Sequence, residues 1–418
     1  MTEAVIARQA GVADIAGKGR VTTFLKKGRL TQGGLKKMGA VAGLIFLTGC
    51  ETLVPSGGRR PPPRTDTAPP SSASQQPGNV ITADNSRHKV ALLLPTTGEN
   101  ADIGQSIANA TTLALLDINA SNIRMTTYDT AKDPRAAAQR AVADGNSLIL
   151  GPLLGDNVVT VAGVAQQRNI PILSFSNDSG VAGRNVFILG HLPSQSIDRV
   201  VRYAVSQGKT RIAGLVPQNV YGQRATGALN SSVRAAGGML VGVQPYDRTS
   251  QSVDAATKAL AAAGPFDAVL IADTGRAAMA AAPLLRRNGA GTAQFLGTEL
   301  WNTESALAGS IPMRGGIFAS VSDDLYRQYA DKYETRFGRM PFRLSSLGYD
   351  AVLLVANIAK NWKVGTPFPV QRLTDPEGFI GIDGSFRLLP NGLNERNLEV
   401  QEIQSGRFVT IDPAPRGF

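Results

Sequence analysis

The residues able to hold a small molecule stand at the ends of short apolar runs. Ser174, Ser176 and Asn177 follow one such run, and Thr298, Glu299 and Trp301 follow another. Thr97, Leu154, Tyr221 and Asp273 occupy comparable positions. A zwitterion needs hydrogen-bond donors for its carboxylate and an acid for its ammonium group. Ser174, Ser176 and Asn177 offer the donors, and Glu299 or Asp273 offers the acid. Tyr221 or Trp301 can close over an apolar side chain. Thr97, Leu154 and Thr298 complete the candidate set. Each of these types also serves in turns and caps, so each position by itself carries both readings.

Covalent catalysis finds less to work with. A nucleophile needs a base within reach and a third group to orient it. The chain has one Cys, at position 50, and two His, at 88 and 191. No Gly-x-Ser-x-Gly turn occurs, and His191, the one candidate base, reads as a structural histidine. No Walker A motif or dinucleotide glycine fingerprint follows a strand, so no cofactor is expected. Gly151-Pro152-Leu153-Leu154-Gly155 reads as a tight turn, not a phosphate loop. One Cys rules out an intramolecular disulfide and a Cys-rich zinc site, and two His argue against a histidine metal centre. The expectation is a binding protein, not an enzyme.

The formal charge of +11 on 418 residues invites a nucleic-acid reading. Its placement argues against one. Residues 1–50 hold eight Lys/Arg against two Asp/Glu, whereas residues 90–418 hold thirty against twenty-seven. A nucleic-acid binder gathers its cations on a folded face. Here they precede an apolar run, Met38 to Thr48, that ends in Leu47-Thr48-Gly49-Cys50. Eleven helical residues reach about 16 Å, short of a bilayer core of roughly 30 Å. A basic stretch, a short apolar segment and small residues make the layout of a secretory signal. Residues 51–87 then read as a disordered tether rich in Pro, Ser and Thr, with a contour of roughly 120 Å.

From residue 88 the pattern must build a scaffold for the strand-end residues. Apolar runs predict strands at 90–94, 122–128, 148–150 and 170–175, with helical spacing at 103–118, 136–143 and 158–167 between them. The alternation continues with helices at 194–206, 223–236, 252–263 and 275–288, and strands at 211–216, 239–246, 267–272, 294–297 and 315–319. Two longer helices, 324–337 and 345–361, precede short antiparallel strands at 378–388, 399–404 and 407–411. Strict β/α alternation predicts an α/β protein with parallel sheets covered on both faces. In such sheets ligands sit beyond the carboxyl ends of the strands.

The residues in this order resemble the type I periplasmic binding proteins, the leucine-binding-protein superfamily, over most of 88–412. The resemblance rests on Val90-Ala-Leu-Leu-Leu-Pro-Thr-Thr-Gly98, Leu150-Gly-Pro152, Asn169 to Asn177, Val220-Tyr-Gly222, Gly348-Tyr-Asp-Ala351 and Gly381 to Arg387 with Asn391-Gly392. It implies two doubly wound parallel-sheet lobes joined by a three-crossing hinge. Lobe 1 would span about 88–192 plus 321–365, and lobe 2 about 193–320 plus 366–412. The amino-acid binders of the family place a hydroxyl donor after Gly151-Pro152, where this chain has Leu153-Leu154.

Leu47 to Cys50 is similar to the lipobox of bacterial lipoproteins. This implies 1–50 as a lipoprotein signal peptide, Cys50 as the lipidation site and a membrane anchor in the periplasm. Glu51 by the same resemblance favours the outer over the inner membrane. Together with Leu92 to Pro95 and Arg343-Leu-Ser-Ser-Leu-Gly-Tyr-Asp350, the lipobox resembles the penicillin-binding-protein activators. That implies regulation of peptidoglycan synthesis, with a bifunctional peptidoglycan synthase as partner. The broader family implies the alternative of a solute-binding lipoprotein that serves an ABC permease with an amino acid or similar small-molecule ligand.

Overall fold

The computed structural model of the chain describes residues 86–418. Cys50, the expected signal peptide and the expected tether up to residue 85 lie outside the described residues. Among the described residues, no helix is long and apolar enough to cross a membrane.

Lobe 1 is built on five parallel strands in the order β2-β1-β3-β4-β5. They are β1 (His88–Leu94), β2 (Ile123–Asp129), β3 (Leu148–Leu150), β4 (Ile172–Ser174) and β5 (Val186–Ile188). Successive side chains of a strand face opposite sides of the sheet. Val90, Leu92 and Leu94 therefore enter one core while Ala91 and Leu93 enter another. A continuous apolar run is what a strand covered on both faces requires. Helix α1 (Ala101–Asp117) buries Ile103, Ile107, Ala110 and Ala114, one stripe at helical spacing. Helices α2 (Pro134–Ala143) and α3 (Gly155–Ala165) cover the other face. Pro134 pre-sets the first turn of α2, and Asp133 caps it by accepting the Ala136 N–H at 2.9 Å.

Lobe 2 carries a seven-stranded sheet in the order β15-β14-β10-β9-β8-β6-β7. Its parallel members are β6 (Arg211–Pro217), β7 (Met239–Tyr246), β8 (Ala268–Ile271), β9 (Gln294–Gly297) and β10 (Ile317–Ser320). Strands β14 (Glu399–Gln404) and β15 (Arg407–Asp412) add antiparallel edges. Helices α4 (Pro193–Ser206), α5 (Val220–Ala235), α6 (Ser250–Ala263) and α7 (Gly275–Leu285) flank it. Asn219, Thr249 and Thr274 cap the last three through their side-chain oxygens. Helix α7 stops short of the expected residue 288, because Gly289 takes φ 115° and the chain turns through a wider π turn.

The chain crosses between lobes after β5, after β10 and before β14. The second crossing returns α8 (Asp324–Phe337) and α9 (Ser346–Ala359) to lobe 1, where Leu347, Leu354 and Val355 join its core. The third crossing lies later than the expected residue 366. Strands β11 (Phe379–Gly381), β12 (Gly384–Leu388) and β13 (Asn394–Arg396) form a separate antiparallel sheet. Phe368, Leu373, Phe379, Phe386 and Leu388 pack into the lobe 1 core, so burial keeps 366–396 with lobe 1 and only 399–412 join the lobe 2 sheet. Asn394 stitches this sheet to the first crossing, donating from Nδ2 to the carbonyls of Ile188 at 2.9 Å and Gly190 at 2.8 Å. Strands β5 and β13 were not expected. Asn394-Glu395-Arg396 carries no apolar run to read, and Val186 to Ile188 is a short run with no helical pattern before it.

Candidate functional site: the cavity between the lobes

The carboxyl ends of β3, β4 and β9 converge on a cavity of about 80 Å³ between the lobes. Leu153, Leu154, Phe175 and Leu344 form its apolar wall from lobe 1, and Leu300 faces them from lobe 2. Asn177, His191, Arg343, Glu299 and Asn302 supply its polar atoms. Leu154, Asn177 and Glu299 are thus the candidates that the fold brings to this cavity.

Of the remaining candidates, Ser174, Ser176, Thr97, Asp273, Tyr221 and Thr298 bond to other parts of the chain, and the Trp301 indole nitrogen is buried without a partner. Ser174 donates to the Pro152 carbonyl at 2.9 Å and accepts the Ser176 N–H at 3.1 Å. Ser176 in turn accepts the Asp178 N–H at 3.1 Å. Both hydroxyls brace the turn after β4, Ser174 by donating and accepting and Ser176 by accepting. Thr97 donates to Asp129 at 2.6 Å on an exposed turn. Asp273 accepts both Arg248 Nε at 2.8 Å and Nη2 at 2.7 Å, plus the Tyr246 hydroxyl at 2.6 Å. That carboxylate is bound by a part-buried arginine and a buried phenol. Trp301 is wholly buried against Phe318 in the lobe 2 core, so it closes over no ligand. Gly297 makes room for it, since a Cβ there would lie 2.1 Å from the indole.

Glu299 lines the cavity from within a polar knot. The Ser196 hydroxyl donates to its Oε2, and the Tyr221 hydroxyl reaches its Oε1 at 3.2 Å and Thr298 at 2.9 Å. Burial pushes the Glu299 carboxyl above its ordinary range, against the lowering effect of those hydroxyls. Burial likewise pushes the Tyr221 phenol well up, with the Glu299 charge adding to it. Tyr221 packs its ring in the lobe 2 core, so its hydroxyl positions Glu299 instead of covering a ligand.

On the opposite wall three residues distant in sequence meet. His191 Nε2 lies 2.9 Å from Asp383 Oδ2, and Arg343 Nη1 donates to Asp383 Oδ1 at 2.7 Å. Ser346 donates to the same carboxylate at 2.9 Å. Burial by itself raises the Asp383 pKa, but the Arg343 guanidinium and His191 outweigh it and hold the carboxyl far below its usual range. Desolvation lowers the His191 pKa despite that carboxylate. Arg343 also lies over the Tyr326 ring at 4.0 Å. Arg343 and Asp383 stand inside segments that carried the family resemblance, yet no local pattern in the sequence announces their meeting. Among the described residues, no cluster of three or more His, Cys, Asp or Glu is arranged to hold a metal ion.

A family model described as "Periplasmic binding protein" matches residues 88–383. The chain belongs to the periplasmic binding protein family. Its fold is the type I, leucine-binding-protein-like one. A putative branched-chain amino acid ABC transporter from Rhodospirillum rubrum superposes with a TM-score of 0.68 at 19% identity, covering 78% of this chain and 100% of that one. An ABC transporter substrate-binding protein from Desulfitobacterium hafniense, solved in complex with Leu, gives a TM-score of 0.62 at 18% identity over 78% of this chain and 100% of its own. Among sequences, the penicillin-binding protein activator LpoA of Mannheimia succiniciproducens is 24% identical over 346 residues, which is 78% of this chain and 55% of that protein. The chain spans about half the length, or less, of the curated relatives it matches.

Proposed function

We propose that this periplasmic binding protein is a lipid-anchored, non-enzymatic module that acts as a penicillin-binding-protein activator and regulates peptidoglycan synthesis. Acylated Cys50 would hold it in the periplasm at the outer membrane, with a bifunctional peptidoglycan synthase as partner. The observation that carries this reading is the chemistry of the cleft. The Ser174 hydroxyl donates inward, the Ser176 oxygen accepts from the turn backbone, and Leu153 and Leu154 line the wall after Gly151-Pro152. That wall offers no hydroxyl donor, so a ligand carboxylate there would depend on Arg343 and the amides across the cavity. The activator from Mannheimia succiniciproducens, aligned over 78% of the chain, supports the same direction.

The test is a pull-down with a bifunctional synthase, paired with an assay of glycan polymerisation and cross-linking. Co-purification and faster turnover are expected. Unchanged rates and no capture would overturn the reading.

A second reading follows from the cavity itself. Its apolar wall and the facing Glu299 suit an amino acid or similar solute carried to an ABC permease. Binding to the native state alone raises the melting temperature. A thermal shift with any such solute, lost in Glu299→Ala, would favour transport over synthase regulation.

A further inference from the structure

The N-terminal ends of the lobe 1 strands, opposite the interlobe cavity, frame a second concavity. One chamber of about 420 Å³ is lined by His88, Lys89, Asn146, Arg168 and Trp362, among others. A second chamber of about 630 Å³ adds Arg184, Asn185 and Gln371. The two share Asn169, Ile170, Pro367 and Phe368, so they run together as one groove.

Its charge is of one sign. Arg87, Lys89 and Arg168 line the first chamber and Arg184 the second, and no Asp or Glu lines either. The neighbouring Asp144 turns its carboxylate to the Tyr128 hydroxyl at 2.6 Å and offers Lys89 only its backbone carbonyl, at 3.4 Å. The chain from residue 90 onward is nearly neutral, with thirty Lys/Arg against twenty-seven Asp/Glu. A groove lined by cations alone within such a lobe focuses a positive field.

Its floor is built. His88 stacks on Trp362 at 3.9 Å and 17°, and Phe368 meets Trp362 edge-on at 5.1 Å. His88 is 3% exposed, and its Nδ1 has no hydrogen-bond partner. Burial lowers the His88 pKa, against a backbone hydrogen bond with Trp362 that raises it.

We propose that this groove binds an acidic peptide, pairing its carboxylates with Lys89, Arg168 and Arg184. The cations are spread over both chambers, with Ile170, Pro367 and Phe368 between them. A lone phosphate would occupy one end, whereas a chain of several residues meets all three cations and lays its backbone along the apolar floor. The site is separate from the interlobe cavity, and its occupancy needs no synthase partner.

The experiment titrates the purified full chain with fluorescein-labelled tetraglutamate and, in a second arm, with a labelled muropeptide, following anisotropy. Saturable binding that weakens with added salt is expected for at least one probe, and the tighter probe identifies the source of the carboxylates. Arg168→Glu with Arg184→Glu, both exposed positions, should weaken it about tenfold, and the Arg→Gln pair by less. Circular dichroism melts of both variants check that the fold is kept. No saturable binding of either probe, binding indifferent to charge reversal, or equal affinity for inorganic phosphate or phosphatidylglycerol vesicles would overturn the proposal. Synthase stimulation is read separately, so a failure there leaves this result standing.

Discussion

His191 Nε2 rests 2.9 Å from Asp383 Oδ2 and ties the first interlobe crossing to a hairpin 192 residues further along the chain. Arg343 holds the other oxygen of the same carboxylate at 2.7 Å. The hinge side of the cavity is therefore a buried ionic cluster, and truncating one member leaves the others unpaired in a poor solvent for charge. Its chemistry makes stability depend on pH.

Both histidines have pKa values lowered mainly by burial. Unfolded, each takes up a proton near pH ~6.5, while the native ring resists it. The unfolded chain then binds more protons, so stability falls as pH drops below about 6.5 toward the lower native values. Asp350 acts in the opposite sense. Burial, then the Asp383 charge, raise its pKa, so its contribution is present below the ordinary carboxylate range and lost as pH rises through the folded value. Asp383, held low, contributes above the unfolded carboxylate range and loses that contribution only in stronger acid. His191→Asn should therefore show a smaller loss of urea midpoint between pH 7.5 and 5.5 than the parent. An equal loss in both would reject a neutral, buried His191.

Glu299→Gln keeps the shape of the side chain and removes a charge that burial disfavours. A raised folded pKa means that the carboxyl contributes stability at low pH and loses it as pH rises through the folded value. The variant should melt at the same temperature as the parent at pH 7.5, or up to roughly 2 °C higher, with the gap closing at pH 5. A drop of several degrees at pH 7.5 would show that the ionised carboxylate is what Ser196 and Tyr221 hold.

Trp301→Ala should cost about 3–5 kcal/mol by urea denaturation, because it empties a fully buried indole site in the lobe 2 core. Trp301→Phe should cost less. A cost under ~1 kcal/mol for the alanine variant would mean that the indole is free to leave the core and close over the cleft.

Most of the architecture was legible because hydrophobic period reports burial directly. The run Val90 to Leu94, bounded by Pro95 and Gly98, reads as a strand covered on both faces, and β7, β9, α8 and β14 fall on the expected residues. Legibility stopped at β13, which is wholly polar, and at β5, a short apolar run outside the β/α alternation. It also stopped where packing overrode chain order, as when 366–396 folded back onto lobe 1. The cleft was legible in part. Strand ends point to it, which placed Leu154, Asn177 and Glu299. Residue type could not say whether a hydroxyl or an indole there faces the cavity or the interior. Ser174 bonds back to its own turn and Trp301 packs into the lobe 2 core, whereas Asn177 lines the cavity.

By itself the sequence determined the elements, their alternation and the location of the chain's excess charge before residue 90. These are local properties, carried by spacing and composition. Only the tertiary structure decided which side chains keep their polar atoms for a ligand. Hydrogen-bond satisfaction is settled between residues far apart, as Asp383 with His191 and Arg343 shows. The same holds for the groove of Lys89, Arg168 and Arg184, three cations unremarkable in sequence that the sheet gathers at one end.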